Sequence, residues 1–258
     1  MQVKFKHLRC YLLNAPEVDA VFSSFICKLE HGANLTDADR TRLAYLPRGH
    51  RIAARQPIIT KGTRPENVHI VLDGFACRYK MLRNGKRQII ALLVPGDCCD
   101  LNAAILGTMD HSIATLSSCT IAILPRATIL DLNEQHPRIA HALRWTALVD
   151  EAIAREWLVN MGKRDASRRF AHLFCELRVR LRMVGIGNED GYPFPLRQED
   201  MADAVGLTSV HTNRTVQSLR EKGLLRLQDH KLHIPDAMQL EEYCDFDPAY
   251  LHLHKRVD

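Results

Sequence analysis

Asn213 and Arg214 stand side by side in the stretch SVHTNRTVQSLREKGLL, residues 209–225. At helical spacing Thr212, Thr215, Val216 and Leu219 fall on an inner face, and Ser209, Val210, Asn213, Arg214 and Gln217 project the other way. An amide and a guanidinium on one outward face suit paired hydrogen bonds to adenine and guanine edges, as a major groove presents them. Thr208 or Ser209 can cap such a helix and leave its first backbone N–H groups free for a phosphate. Arg197 and Gln198, which open the preceding helical stretch, and His211 complete the candidate nucleic-acid contacts: Arg197, Gln198, Thr208, Ser209, Val210, His211, Asn213 and Arg214.

Positioning these groups takes a compact scaffold. Met201, Ala204 and Val205 give the stretch from Gln198 one apolar side, and Gly206 can turn without a Cβ clash. Gly223 ends the second helix. Residues 224–227 and 232–234 are short apolar runs around Gln228-Asp229-His230-Lys231, the pattern of a hairpin wing. A helical hairpin that only buries its apolar face is the plain alternative. The order recognition helix, glycine stop, wing favours double-stranded DNA as the partner.

This segment resembles the winged helix-turn-helix of the Crp/Fnr superfamily of bacterial transcription regulators, most specifically in SVHTNRTVQSLREKGLL, and the resemblance runs from about residue 40 to residue 234. It implies an α+β fold: an N-terminal antiparallel β-roll of the cyclic-nucleotide-binding type, a long dimerisation helix, and a C-terminal winged helix-turn-helix. It further implies a cytoplasmic homodimer on a palindromic operator, with RNA polymerase as a partner.

In the nucleotide-binding members of that superfamily, the loop after Pro95-Gly96-Asp97 supplies a glycine, a glutamate for the ribose and an Arg-Ser pair for the cyclic phosphate. Laid on this sequence, those candidate effector positions fall on Asp100, Leu101, His111 and Ser112, and only the serine survives. A carboxylate at Asp100 beside an absent arginine repels a phosphodiester, so an effector other than a cyclic nucleotide is expected. An iron–sulfur cluster needs four converging thiolates, and Cys10 and Cys27 are too few near the N-terminus. His69, Cys77 and His111 are haem-ligand types in the right domain, yet thirteen histidines scatter such types by chance. Cys98-Cys99 could be a redox pair, but alternation on a strand sends them to opposite faces, where burial is expected. No cofactor and no metal are expected. Eight cysteines without a C-x-x-C pair point to buried thiols rather than a zinc site or a disulfide framework. A cupin-type metal enzyme, the catalytic alternative, needs two close histidines and a glutamate on barrel strands; His252 and His254 lie outside the barrel with no such glutamate. The expectation is a regulator and not an enzyme.

The length, 258 residues, and 46% hydrophobic content allow two modest domains, each with a core. Residues 161–234 hold 13 Lys or Arg against 9 Asp or Glu, a net of +4, and residues 235–258 hold 2 against 6, a net of −4. A basic module before an acidic tail fits a DNA binder. No apolar run approaches a membrane span, and the N-terminus lacks a signal-peptide pattern, so a cytoplasmic location is expected.

In chain order, Val18, Val21, Phe22, Phe25, Ile26 and Leu29 predict a lead-in helix, and Thr36 caps a second one closed by Pro47. Gly62, Gly74, Gly85, Gly96 and Gly107 then fall 12, 11, 11 and 11 residues apart, with strand-like runs at 68–72, 75–82 and 87–94 between them. Asn84-Gly85 is a hairpin signal because both residues tolerate positive φ. Pro137 opens a long helix in which Ile139, Ala142, Thr146, Val149 and Ile153 make a 3-4-3-4 seam, read as the dimer interface, with packing on the protomer's own roll as the alternative. Gly162 is a candidate hinge, residues 168–184 an amphipathic helix, and residues 185–195 a loop. The expected parts are a lead-in at 1–39, the roll at 40–136, the dimerisation helix at 137–161, the DNA-binding domain at 162–235 and an acidic tail at 236–258.

Overall fold

In the computed structural model, which describes residues 22–101 and 106–253, the strand β3 (Asn67–Asp73) shows the period of two that builds a roll. Val68, Ile70 and Leu72 face a helical layer, and Val71 faces the opposite sheet. One sheet runs β1 (His50–Ile52), β7 (Cys119–Pro125), β3; the other runs β2 (Pro57–Ile59), β6 (Ser112–Thr115), β4 (Ala76–Met81), β5 (Arg87–Leu93), with every pairing antiparallel. Ile59, Val71, Leu93, Ile113 and Ile121 fill the space between them. All five regularly spaced glycines take positive φ, and at Gly74 a Cβ would collide with the Ser118 carbonyl. Of Asn84-Gly85 only Gly85 is left-handed: the turn closes with Leu82 N–H donating to Lys86 O, and Asn84 contributes through its side chain, whose Oδ1 accepts from Lys86 N–H.

The helical layer consists of α1 (Ser23–Glu30), α2 (Asp37–Ala44), α3 (Arg126–Gln135) and the first turns of α4 (Pro137–Lys163). Thr36 caps α2 reciprocally with Asp39, and Pro137 occupies the first turn of α4, as the sequence predicts. Cys10, Val18, Val21 and the rest of residues 1–21 lie outside the described residues, as do residues 102–105 and 254–258, His254 among them.

Four expectations are corrected. Ile139, Ala142, Thr146, Val149 and Ile153 are buried within the protomer: the first two pack in the helical layer, and Val149 and Ile153 join the outer face of β4 and β5 to the DNA-binding part. The seam is therefore the inner face of α4, covered by this chain itself. Gly162 is helical, and the break falls at Arg164, whose ψ of 140° turns the chain into α5 (Ala166–Met183). Asp165 then caps α5 by accepting from the N–H groups of Ser167 and Arg168. The loop predicted at 185–195 contains a strand, β8 (Gly191–Pro193), too short and too rich in Gly and Pro to show a period. The predicted acidic tail folds too: α8 (Ala237–Cys244) and a 3-10 turn (Pro248–Leu251) bury Leu240, Cys244 and Leu251 in one core with α5.

Candidate nucleic-acid interface

The helix α5 carries the scaffold of the site. Phe170, Leu173, Phe174, Leu177 and Leu181 are fully buried beneath α6 (Gln198–Val205) and α7 (Ser209–Glu221). Gly206, at φ 70°, turns α6 into α7, and Thr208 Oγ1 accepts from His211 N–H at 3.3 Å as the cap of α7. The wing is β9 (Arg226–Gln228) and β10 (Lys231–His233), joined by Asp229 and His230, both left-handed, with β8 as a third strand beside β10.

The two faces of α7 separate as its spacing demands. Thr212, Thr215, Val216 and Leu219 are buried; Ser209, Val210, His211, Asn213, Arg214 and Gln217 are exposed, Val210 at 63%. Arg197 and Gln198 are exposed at the start of α6, beside the first turn of α7, because Gln198 Nε2 donates to Ser209 O at 2.6 Å. All eight predicted contacts are thus exposed, at the start of α6, on α7 and in the turn between them. They comprise two guanidinium groups, two amides and an exposed helix N-terminus, the chemistry that phosphates and base edges require. Arg226 and Lys231 are exposed on the wing; as isolated cations on short strands they carry no periodic signal in the sequence.

The roll contains a cavity of about 270 Å³ against α4, and Asp100, Leu101 and His111 line it; Ser112 does not. Several of its polar groups already have partners, whereas His111 Nε2 is buried without one among the described residues. Asp100, buried, accepts from His69 N–H at 2.8 Å and lies 2.9 Å from His69 Nδ1. Ser112 Oγ accepts from Lys61 N–H. Asp110, paired with Lys80 and His111, has its carboxyl pushed down to about 2 by those hydrogen bonds. Arg78, the guanidinium nearest to where an anion could sit, donates to the carbonyls of Cys98 and Cys99 and to Asp150 of α4, each at 2.9 Å. Cys98 packs toward the helical layer and Cys99 between the sheets, and burial pushes the Cys98 thiol up to about 12, which leaves no reactive thiolate. Among the described residues, no three metal-binding side chains cluster.

Two family descriptions match this chain: a cyclic nucleotide-binding domain over residues 50–136, and a Crp-like helix-turn-helix domain over residues 168–243. The second extends into α8, beyond the end expected from the sequence. The nitrogen fixation regulation protein FixK of Bradyrhizobium diazoefficiens is 25% identical over 223 residues, covering 86% of this chain and 90% of that protein. The transcriptional activator protein FnrL of Cereibacter sphaeroides is 25% identical over 227 residues, covering 85% and 91%. Among solved structures, FixK2 from Bradyrhizobium japonicum superposes with a TM-score of 0.66 at 19% identity, over 75% of this chain and 94% of that one, which establishes the likeness of fold.

Proposed function

The chain belongs to the Crp/Fnr family of DNA-binding transcription regulators, and from that premise we propose that it acts as a homodimer on a palindromic operator and responds to something other than a cyclic nucleotide. The observation that carries the DNA reading is the division of α7, with Asn213, Arg214 and Val210 exposed together above a fully buried inner face. Arg214 reads guanine, Asn213 reads adenine, and Val210 offers a methyl surface to thymine. Arg197, Thr208, Ser209 and His211 hold phosphates around the N-termini of the two helices.

Pairing along the outer face of α4 is supported by Leu148, Leu158 and Val159, which are exposed at 55%, 76% and 48%. Exposed apolar side chains on the outward side of a long helix, here on either side of the exposed Glu151–Arg155 pair, are best covered by a two-fold copy of themselves. Relatives named as activators support activation of transcription, with RNA polymerase as protein partner, and argue against a catalytic role. Operator DNA places the protein in the cytoplasm; among the described residues no helix is long and apolar enough to cross a membrane. Selection of binding sites from random DNA tests this reading. The expected product is a palindrome whose half-sites lie about one helical turn, roughly 10 base pairs, apart. Recovery of no enriched sequence would overturn it.

A further inference from the structure

The β4–β5 hairpin of the roll reaches across to the DNA-reading helices and is fastened to them by charge. Arg87, the first residue of β5, places Nε 2.6 Å from Asp203 Oδ2 and a terminal nitrogen 2.7 Å from Asp200 Oδ1, so one guanidinium spans two carboxylates about one turn apart on the same face of α6. Asp200 is buried, and its other oxygen accepts from Arg197 N–H at 3.1 Å as the cap of α6, with Arg55 of the β1–β2 loop 3.5 Å away. Next along β5, Gln88 Nε2 lies 3.4 Å from Ala204 O at the other end of the same helix. A single strand end therefore holds both ends of α6.

The fastening matters because of where the chain is free to move. The DNA-binding part leaves α4 through a break at Arg164 and Asp165, and α5 is anchored to the roll at Arg180. The apolar core that Ile89, Leu92, Val149 and Ile153 share with α5 also holds this body, but apolar packing is not directional; the charged attachment at α6 is the one that sets an angle. The clamped arrangement leaves Val210, Asn213 and Arg214 exposed, so the clamp presents the reading face rather than covering it.

We propose that Arg87 is a positioning residue: through Asp200 and Asp203 it sets the angle of α6, and hence of α7, relative to the roll, and so fixes the half-site spacing that a dimer accepts. This rests on the dimeric operator reading above. The rigid planar fork is what makes the assignment specific to arginine, since a lysine ammonium is a point charge without fixed directions toward two separate carboxylates.

The test compares wild type, Arg87→Ala, Arg87→Lys, Asp203→Asn and the double variant Arg87→Ala with Asp203→Asn. Each is titrated by fluorescence anisotropy against the selected palindrome, the same palindrome with one base pair inserted or removed at its centre, and random DNA. Thermal unfolding is followed in parallel. Wild type is expected to discriminate sharply between spacings. Arg87→Ala should lose about tenfold on the preferred spacing, within the usual range of coupling between sites, while affinity for random DNA stays the same and the spacing preference flattens. Arg87→Lys should fall between the two, and the double variant should be no worse than Arg87→Ala. Equal losses on all three DNAs with a lowered unfolding temperature would mark Arg87 as merely structural and overturn the inference. An unchanged spacing preference in Arg87→Ala would overturn it as well, with operator binding intact. Failure of the wild type to prefer any two-half-site DNA would instead overturn the dimeric operator reading on which the inference rests.

Discussion

The guanidinium of Arg180, on α5, lies 2.7 Å from Asp97 Oδ2 in the roll, with both side chains almost wholly buried. Arg180 also donates to Leu92 O and Glu176, and Asp97 accepts from Lys28 of α1 and from Val94 N–H. Burial alone pushes the Asp97 carboxyl up, but Lys28 and Arg180 outweigh it and hold it below the usual range. Four charges from three parts of the chain thus neutralise one another where the roll meets the DNA-binding domain. Arg180→Met removes one partner and leaves buried carboxylates undercompensated, which should cost about 3 to 5 kcal/mol. Denaturant unfolding checks this, with Arg42→Ala, in an exposed pair with Asp131, as a control expected to lose less than about 1 kcal/mol.

On α7, Arg214→Ala should weaken specific binding by about 1 to 3 kcal/mol and spare random DNA. Equal loss on both would make Arg214 a phosphate contact. Val210→Glu supplies an acceptor for cytosine N4 two residues past the cap, so site selection with that variant should return a changed base at one position of each half-site.

Charge placed on the two faces of α4 should act differently. Leu158→Asp puts like charges into the pairing face and should yield a folded monomer by sedimentation at micromolar concentration. Ile153→Asp buries a carboxylate inside the protomer and should lower the unfolding temperature instead. A dimer that survives Leu158→Asp would place the interface elsewhere.

Calorimetry with cyclic AMP should show no binding at ten micromolar. Leu101 and His111 stand where the family's charged groups would be, each loss worth about 1.5 to 3 kcal/mol against the roughly 8 kcal/mol of micromolar affinity, and Asp100 adds a carboxylate where the family has a glycine. Arg78 is engaged by Asp150 and two carbonyls. Binding that disappears in His111→Ala would show a site rebuilt on other residues.

Stability should fall with acid through His172. Burial pushes its pKa down to about 3, with Arg164 adding to the effect; the ring is enclosed by Trp157, Phe246 and Tyr250. Glu156 lies 3.3 Å from Nε2 but is already paired with Arg164 at 2.8 Å. The unfolded chain binds this proton near its ordinary value of about 6.5, so the folded state loses stability as pH falls from there toward 3, by roughly 2 kcal/mol at pH 5. His172→Leu should flatten that part of the stability profile; an unchanged slope would show that other groups set it.

Much of the reader was legible in the sequence, because local rules govern it. Helical spacing alone sorts Thr212, Thr215, Val216 and Leu219 from Asn213, Arg214 and Gln217, and Gly206 and Gly223 mark turns that only a residue without Cβ takes easily. The glycine-spaced strands of the roll were legible for the same reason.

What covers a face is not local, and there only the tertiary structure decided. The periodicity of α4 shows that Ile139, Val149 and Ile153 want burial, yet a stripe of apolar side chains is equally satisfied by a second copy or by the chain's own roll. The choice fell to the roll because β4 and β5 present Cys77, Ile89 and Leu92 to it. Arg87 with Asp200 and Asp203, more than a hundred residues apart, and Arg180 with Asp97 leave no trace in spacing, since an ion pair across domains depends on where two surfaces meet and not on the sequence around either partner.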